Sequence, residues 1–159
     1  MAGKCGKFAA LTDKTPKFTI KNVSEMTGLT AYTIRYYDNS GLVPGVYRAG
    51  ANVRLFSDYS VSWLRLVHCM RTTGLSIEGI RHYIDLCLQG DSTVPERAEI
   101  IFAQEKILRE RFRELKKQME VLNFKKSYYE NLLKTSQKDV WNPATAQFQS
   151  EPDLVLENS

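Results

Sequence analysis

From residue 18 onward the apolar positions follow helical periods, broken by glycine at regular intervals. Ile20, Val23 and Met26 recur three residues apart and Gly28 follows, which predicts a short amphipathic helix closed by a glycine C-cap. Thr30 suits an N-cap, and Thr33, Ile34, Tyr36 and Tyr37 fill a second short helix that must stop near Gly41. Two short helices separated by Gly28-Leu29 make a helix-turn-helix candidate. Pro44-Gly45 then breaks the chain. Val46 to Phe56 alternates loosely around Gly50-Ala51-Asn52, which reads as a hairpin or wing with Arg48 and Arg54 on its two arms.

Ser57-Asp58 caps a third helix, with Val61, Leu64, Val67 and Met70 facing inward until Gly74. Ser76 caps a fourth, with Ile77, Ile80, Ile84 and Leu88 on one face until Gly90. Four short helices and a wing predict a compact, mainly α head with a small β element.

The period changes after Arg97. Ile101, Leu108, Leu115, Leu122 and Tyr129 lie seven apart, and Phe112, Met119 and Leu133 fall four after members of that series. Neither Pro nor Gly interrupts Arg97 to Thr135. This is the 3-4 repeat of a coiled coil, whose stripe a lone helix cannot bury. The eight residues are expected to form a dimerisation seam, most simply with a second copy. Glu105 and Lys126 fall on the seam, where charge costs stability but can set register.

The expected organisation is therefore fourfold. Residues 1–17 are a flexible arm or a leftover of cloning, and 18–90 form the winged helix-turn-helix head, with the helix-turn-helix at about 19–38 and the wing at about 46–56. Residues 94–135 form the dimerisation helix and 136–159 a short tail. The tail holds Trp141, Phe148, Leu154 and Leu156 without a period, and its structure stays open.

Composition is ordinary for a globular protein, 43% hydrophobic and 25% charged over 159 residues, but the charge is uneven. Residues 1–75 carry net +6 and residues 76–159 net −2, within a total of +4. A basic first half points to a polyanion, and the charge-rich second half to solvated helix surface. With no apolar run near the 18 or so residues of a membrane span and no signal peptide, a cytoplasmic protein is expected. Cys5, Cys69 and Cys87 are an odd, widely spaced set that suits a reduced compartment. No CxxC or HxxxH pair offers a zinc site, so neither a metal nor a cofactor is expected.

A recognition helix enters the major groove with its N-terminal residues near base edges and its flanks on phosphate. With Ile34 and Tyr37 turned to the core, Thr30, Tyr32, Thr33, Arg35 and Tyr36 remain for DNA. Arginine can pair with phosphate or guanine, while Thr and Tyr hydroxyls chiefly fix register on phosphate.

Residues 18 to about 88 resemble the N-terminal domain of the MerR family of transcription regulators. The resemblance is carried in order by Phe18-Thr19-Ile20, Thr27-Gly28-Leu29-Thr30, Thr33-Ile34-Arg35-Tyr36-Tyr37-Asp38, Gly41-Leu42-Val43-Pro44, Arg48 and Arg54-Leu55-Phe56-Ser57. Leu64 to Gly74 and Ser76-Ile77-Glu78-Gly79-Ile80 continue it. It implies a homodimer with winged heads at the ends of an antiparallel coiled coil. Such a dimer binds a pseudo-palindromic promoter with an over-long spacer, distorting the DNA and so acting on RNA polymerase indirectly. Carried over by position, Arg35 and Tyr36 would touch DNA from the recognition helix, and Arg48 and Arg54 from the wing. Many relatives have an aromatic residue just before the second wing arginine, where this chain has Val53.

Metal-sensing relatives place cysteines at the start of the long helix and after it, and this chain has none after Cys87. Cys69-Met70-Arg71-Thr72-Thr73-Gly74-Leu75 instead resembles the aldehyde- and nitrosothiol-responsive branch, which implies Cys69 as sensor of a reactive electrophile or oxidant. Cysteine is also among the most buried residue types, so packing is the competing reading. A second input is a noncovalent ligand at the coiled-coil end and tail, among Phe124, Tyr128, Tyr129, Trp141 and Phe148. A small thiol enzyme is disfavoured: the only histidines are His68 and His82, and adjacent His68 and Cys69 point about 100° apart on a helix. No catalytic residue is assigned, and a coiled-coil adaptor is the remaining alternative.

Overall fold

The computed structural model describes residues 12–142 and residue 144. Cys5, Phe148, Leu154 and Leu156 lie outside them. Seven elements follow in order: α1 (Ile20–Thr27), α2 (Ala31–Asn39), β1 (Tyr47–Ala49), β2 (Val53–Leu55), α3 (Asp58–Thr72), α4 (Ile77–Gln89) and α5 (Val94–Thr135). The chain divides into two compact units between Glu110 and Arg111, inside α5.

The α1–α2 turn is fixed by local hydrogen bonding. Thr19 caps α1 in a reciprocal box with Asn22, and Gly28 ends the helix at φ 72°, a left-handed conformation that L side chains adopt only under strain. The Ser24 hydroxyl donates to the Leu29 carbonyl at 2.6 Å, and the Leu29 N–H donates to Thr27 Oγ1 at 3.2 Å. Thr30 then caps α2 by accepting from the Thr33 N–H.

The first unit is built on one apolar core. Val23 of α1, Ile34 of α2, Leu42, Phe56, Val61 and Leu64 of α3, and Ile80 of α4 are all fully buried in it. Tyr37 joins them, 5% exposed. Leu88 does not: it is exposed on the last turn of α4, and Leu86 is buried in that turn instead. The inward stripe of α4 thus ends one turn earlier than its sequence spacing suggests.

β1 and β2 pair antiparallel as Tyr47 with Leu55, Arg48 with Arg54 and Ala49 with Val53. The ribbon is short, but its base is extended by an antiparallel bridge between Phe18 and Phe56. Phe18 N–H and Phe56 N–H each donate to the other's carbonyl, at 2.9 and 2.8 Å. The end of the expected arm is docked as well. The Tyr59 N–H donates to the Asp13 carbonyl at 3.0 Å, and the Lys17 ammonium bridges Asp13 and Asp58 at 2.7 and 2.6 Å. Residues 12–17 carry no apolar period, so nothing in their pattern announces these polar contacts.

α3 starts directly after the ribbon through a capping box between Ser57 and Ser60, both fully buried. The turn from α4 into α5 is pinned by Thr93, whose hydroxyl bridges the carbonyls of Leu86 and Gly90 at 2.7 Å each. Gln104 Nε2 donates to the Thr73 carbonyl at 2.7 Å, and Ile100 packs on the core, so the first turns of α5 belong to the head.

In the second unit α5 continues to Thr135, and Ser136 leaves it with φ 49°. The chain then folds back on the helix. Tyr128 Oη donates to Asp139 Oδ1 at 2.7 Å and accepts from the Val140 N–H at 3.1 Å. Trp141 stacks on Tyr128 with ring centroids 4.4 Å apart and lies 5.0 Å from Phe124, with the Lys125 ammonium 4.5 Å above its ring. Burial and the bond to Asp139 both push the Tyr128 hydroxyl above its usual range.

Candidate nucleic-acid interface

α2 has one buried edge and one open face. Ile34 and Tyr37 enter the core, and on the other side Tyr32 is 78% and Tyr36 45% exposed, with Arg35 exposed between them. Among the described residues Arg35 takes no ion-pair partner. Thr30 and Thr33 are committed to each other. Their hydroxyls lie 2.9 Å apart and Thr30 Oγ1 also accepts the Thr33 N–H at 3.1 Å, so their first role is to cap the helix.

The wing arginines converge on one carboxylate. Arg48 Nη2 donates to Asp38 Oδ2 at 2.7 Å, and Arg54 Nε donates to the same oxygen at 2.6 Å. Arg54 Nη2 also donates to Asn39 Oδ1 at 2.7 Å. The last turn of α2 thereby holds the wing. In the sequence Asp38 has no mark beyond its place in the motif, except that it is the single acidic residue between Glu25 and Asp58. That isolation amid basic residues was the available signal.

Arg54 lines an open depression with Thr19, Ile20, Arg35 and Val53. The depression joins the start of α1, the open face of α2 and β2. Of the seven residues expected at DNA, Arg35 and Arg54 thus meet at one feature, and Tyr32 and Tyr36 are exposed on the same helix as Arg35. Arg48 lies on the ribbon opposite Arg54, and the two threonines form the cap below.

Cys69 sits in the penultimate turn of α3, half-buried, with its carbonyl accepting from the Thr72 hydroxyl at 2.6 Å. Its sulfur is disulfide-bonded, whereas Cys87 on α4 is a free thiol. The odd, widely spaced cysteines suit a reduced compartment better than a disulfide framework, and the bonded Cys69 departs from that expectation. The Cys87 sulfur receives an N–H from Arg97 Nη1 at 3.6 Å, a contact that joins α4 to α5. Nearby Tyr83 is raised above its usual range chiefly by burial.

Ile101, Leu108, Phe112, Leu115, Met119, Leu122, Tyr129 and Leu133 are all exposed, from 42% at Ile101 to 85% at Leu133. The seam charges pair along the helix itself: Arg109 Nε donates to Glu105 Oε1 at 2.7 Å, and Lys126 lies 3.7 Å from Glu130. No helix among the described residues is long and apolar enough to cross a membrane. No group of three or more His, Cys, Asp or Glu side chains among them is arranged to hold a metal ion.

A short helix pair with an open second helix, a two-stranded wing clamped to it and a long following helix define a winged helix-turn-helix protein. The family model for MerR helix-turn-helix regulatory proteins matches residues 18–87. A helix-turn-helix transcriptional regulator of Haemophilus influenzae is 34% identical over 113 residues, covering 71% of this chain and 84% of the relative. Among solved structures, HiNmlR, a MerR family regulator lacking the sensor domain and bound to promoter DNA, is similar at 32% identity and TM-score 0.61. That match covers 76% of this chain and 95% of HiNmlR. A MerR family regulator from Listeria monocytogenes is similar at 35% identity and TM-score 0.65, covering 76% and 92% of the two chains. The chain belongs to the MerR family of helix-turn-helix regulators.

Proposed function

We propose that the chain is a cytoplasmic, homodimeric transcription regulator that binds a pseudo-palindromic promoter. The observation that carries this reading is the open face of α2, with Tyr32, Arg35 and Tyr36 presented beside a wing whose arginines are held in place. The likeness to HiNmlR, which was solved on promoter DNA, supports it. The exposed seam of α5 supplies the dimer, two copies packing antiparallel. The domain plan follows: a DNA-reading head through residue 90, a dimerisation helix over 94–135 and a short tail. Thr30 and Thr33 act through the cap, and Tyr32, Arg35, Tyr36, Arg48 and Arg54 face DNA. The dimer distorts an over-long spacer, with specificity drawn partly from deformation energy. It acts on transcription, and no enzymatic step is assigned to it.

The test is selection of duplexes from a random library, followed by titration across salt. A regulator enriches an inverted repeat, and its affinity falls steeply with salt as phosphates are neutralised. Failure to enrich any sequence would sink the reading.

For the input, we favour an electrophile or oxidant acting at Cys69. Its place near the end of α3, about one helical turn from where Thr73 meets Gln104 of α5, puts modification beside the head's junction with the long helix. The reading needs the sulfur reduced, so reduced wild type and Cys69→Ser are compared in promoter transcription with and without aldehyde. An equal response from both rules Cys69 out. The fold-back of Trp141 on Phe124 and Tyr128 favours a second reading, a noncovalent ligand at that aromatic cluster. Truncation after Leu133 then abolishes the response and spares DNA binding.

A further inference from the structure

Arg48 and Arg54 are direct cross-strand partners, so their side chains leave the same face of the ribbon with Cβ atoms about 5 Å apart. Like charges so placed repel, and an isolated ribbon of three residues per strand is not stable in water. Asp38 resolves both difficulties. One of its carboxylate oxygens accepts from both guanidiniums, and its side chain is only 8% exposed. Asn39, the next residue, takes a second nitrogen of Arg54. With Nε on Asp38 and Nη2 on Asn39, the plane of the Arg54 guanidinium is fixed relative to α2. Arg54 lines the same depression as Arg35.

We propose that Asp38 is a positioning residue for DNA recognition. It does not touch DNA. It holds Arg54, and with it Arg48, at a set distance from Arg35, so that the depression offers two guanidiniums to the phosphodiester backbone in register with the open face of α2. The inference rests on the DNA-binding reading and adds to it a residue that acts through others. Charge alone gives the opposite sign: removing a carboxylate from a DNA-facing surface would tighten binding to every sequence.

The experiment compares wild type, Asp38→Asn and Asp38→Glu by fluorescence anisotropy. Each is titrated with a duplex selected by the wild type and with a scrambled duplex of equal length. Asp38→Asn is expected to lose about tenfold or more on the selected duplex while binding the scrambled one as well as, or better than, wild type. Asp38→Glu recovers most of the discrimination. Unchanged discrimination, or an equal loss on both duplexes, overturns the proposal. Arg54→Lys, which keeps the charge but cannot bridge Asp38 and Asn39, guards against a misfolded Asp38→Asn: it should lose discrimination too. Combined with Asp38→Asn it should lose less than the product of the single losses, because both act on one contact. Independent losses overturn the proposal. A wild type that selects no sequence refutes the regulator reading itself, an outcome distinct from selective wild-type binding that Asp38→Asn leaves intact.

Discussion

Arg54 Nε reaches Asp38 Oδ2 across 2.6 Å, joining the second strand of the wing to the last turn of the recognition helix. The contact spans sixteen residues of sequence and makes the wing and α2 one body. With Asp38 only 8% exposed and Arg54 only 16%, the pair is poorly screened by solvent. Removing Asp38 leaves Arg54 with Asn39 and no carboxylate, whereas removing Arg54 leaves Asp38 paired with Arg48.

Arg35→Ala should weaken binding to a selected duplex by about 1–3 kcal/mol if the guanidinium reads a guanine edge, and relax preference at that one position. If it contacts phosphate instead, affinity falls on all sequences and the salt dependence shallows by about one ion. Titrations of the variant against single-position operator mutants separate the two. No effect on any duplex removes Arg35 from the interface.

Leu115→Asp places a charge in the middle of the apolar seam, where Leu115 is 59% exposed in the single chain. It should convert dimer to monomer in analytical ultracentrifugation and leave the head folded, because the seam contributes nothing to the head's core. A dimer that survives Leu115→Asp refutes the seam.

Leu64 is fully buried among Val61, Val67 and Ile80, so Leu64→Ala should cost about 2–5 kcal/mol in chemical denaturation. A loss well under that range would mean the core closes around the gap.

Burial of Tyr37 raises its phenol above the ordinary value of 10.0. The unfolded chain then ionises first as pH climbs, so the contribution is whole below about pH 10 and declines as pH rises through the folded value. Thermal melts between pH 8 and 11.5 should show Tm falling in this range, and less steeply in Tyr37→Phe. Tyr83, raised mainly by burial as well, adds a second such group on α4.

Much of this architecture was legible because it is written locally. Gly28, Thr30 and Ser57 act on backbone within four residues, and a heptad repeat is visible wherever it is long. The open face of α2 followed from the two residues that had to be buried, Ile34 and Tyr37. What escaped was long-range and polar. Asp38 meets Arg48 ten residues away and Arg54 sixteen away, and no period encodes that meeting. Trp141 folds back on Tyr128 through a turn at Ser136, a residue with no sequence mark of positive φ. Thr30 fits an N-cap in the sequence, but its side-chain contact with Thr33 is not written there. Leu88 fits the inward spacing yet is exposed, and Leu86 is the buried side chain of that last turn.

Between Leu55, the last residue of the wing, and Asp58, the first of α3, lie only Phe56 and Ser57, both fully buried. One is bridged to Phe18 and the other is locked in a capping box. On its α3 side the wing is accordingly tied to the head without a free residue between them, and a shift of β2 is expected to carry the start of α3 with it.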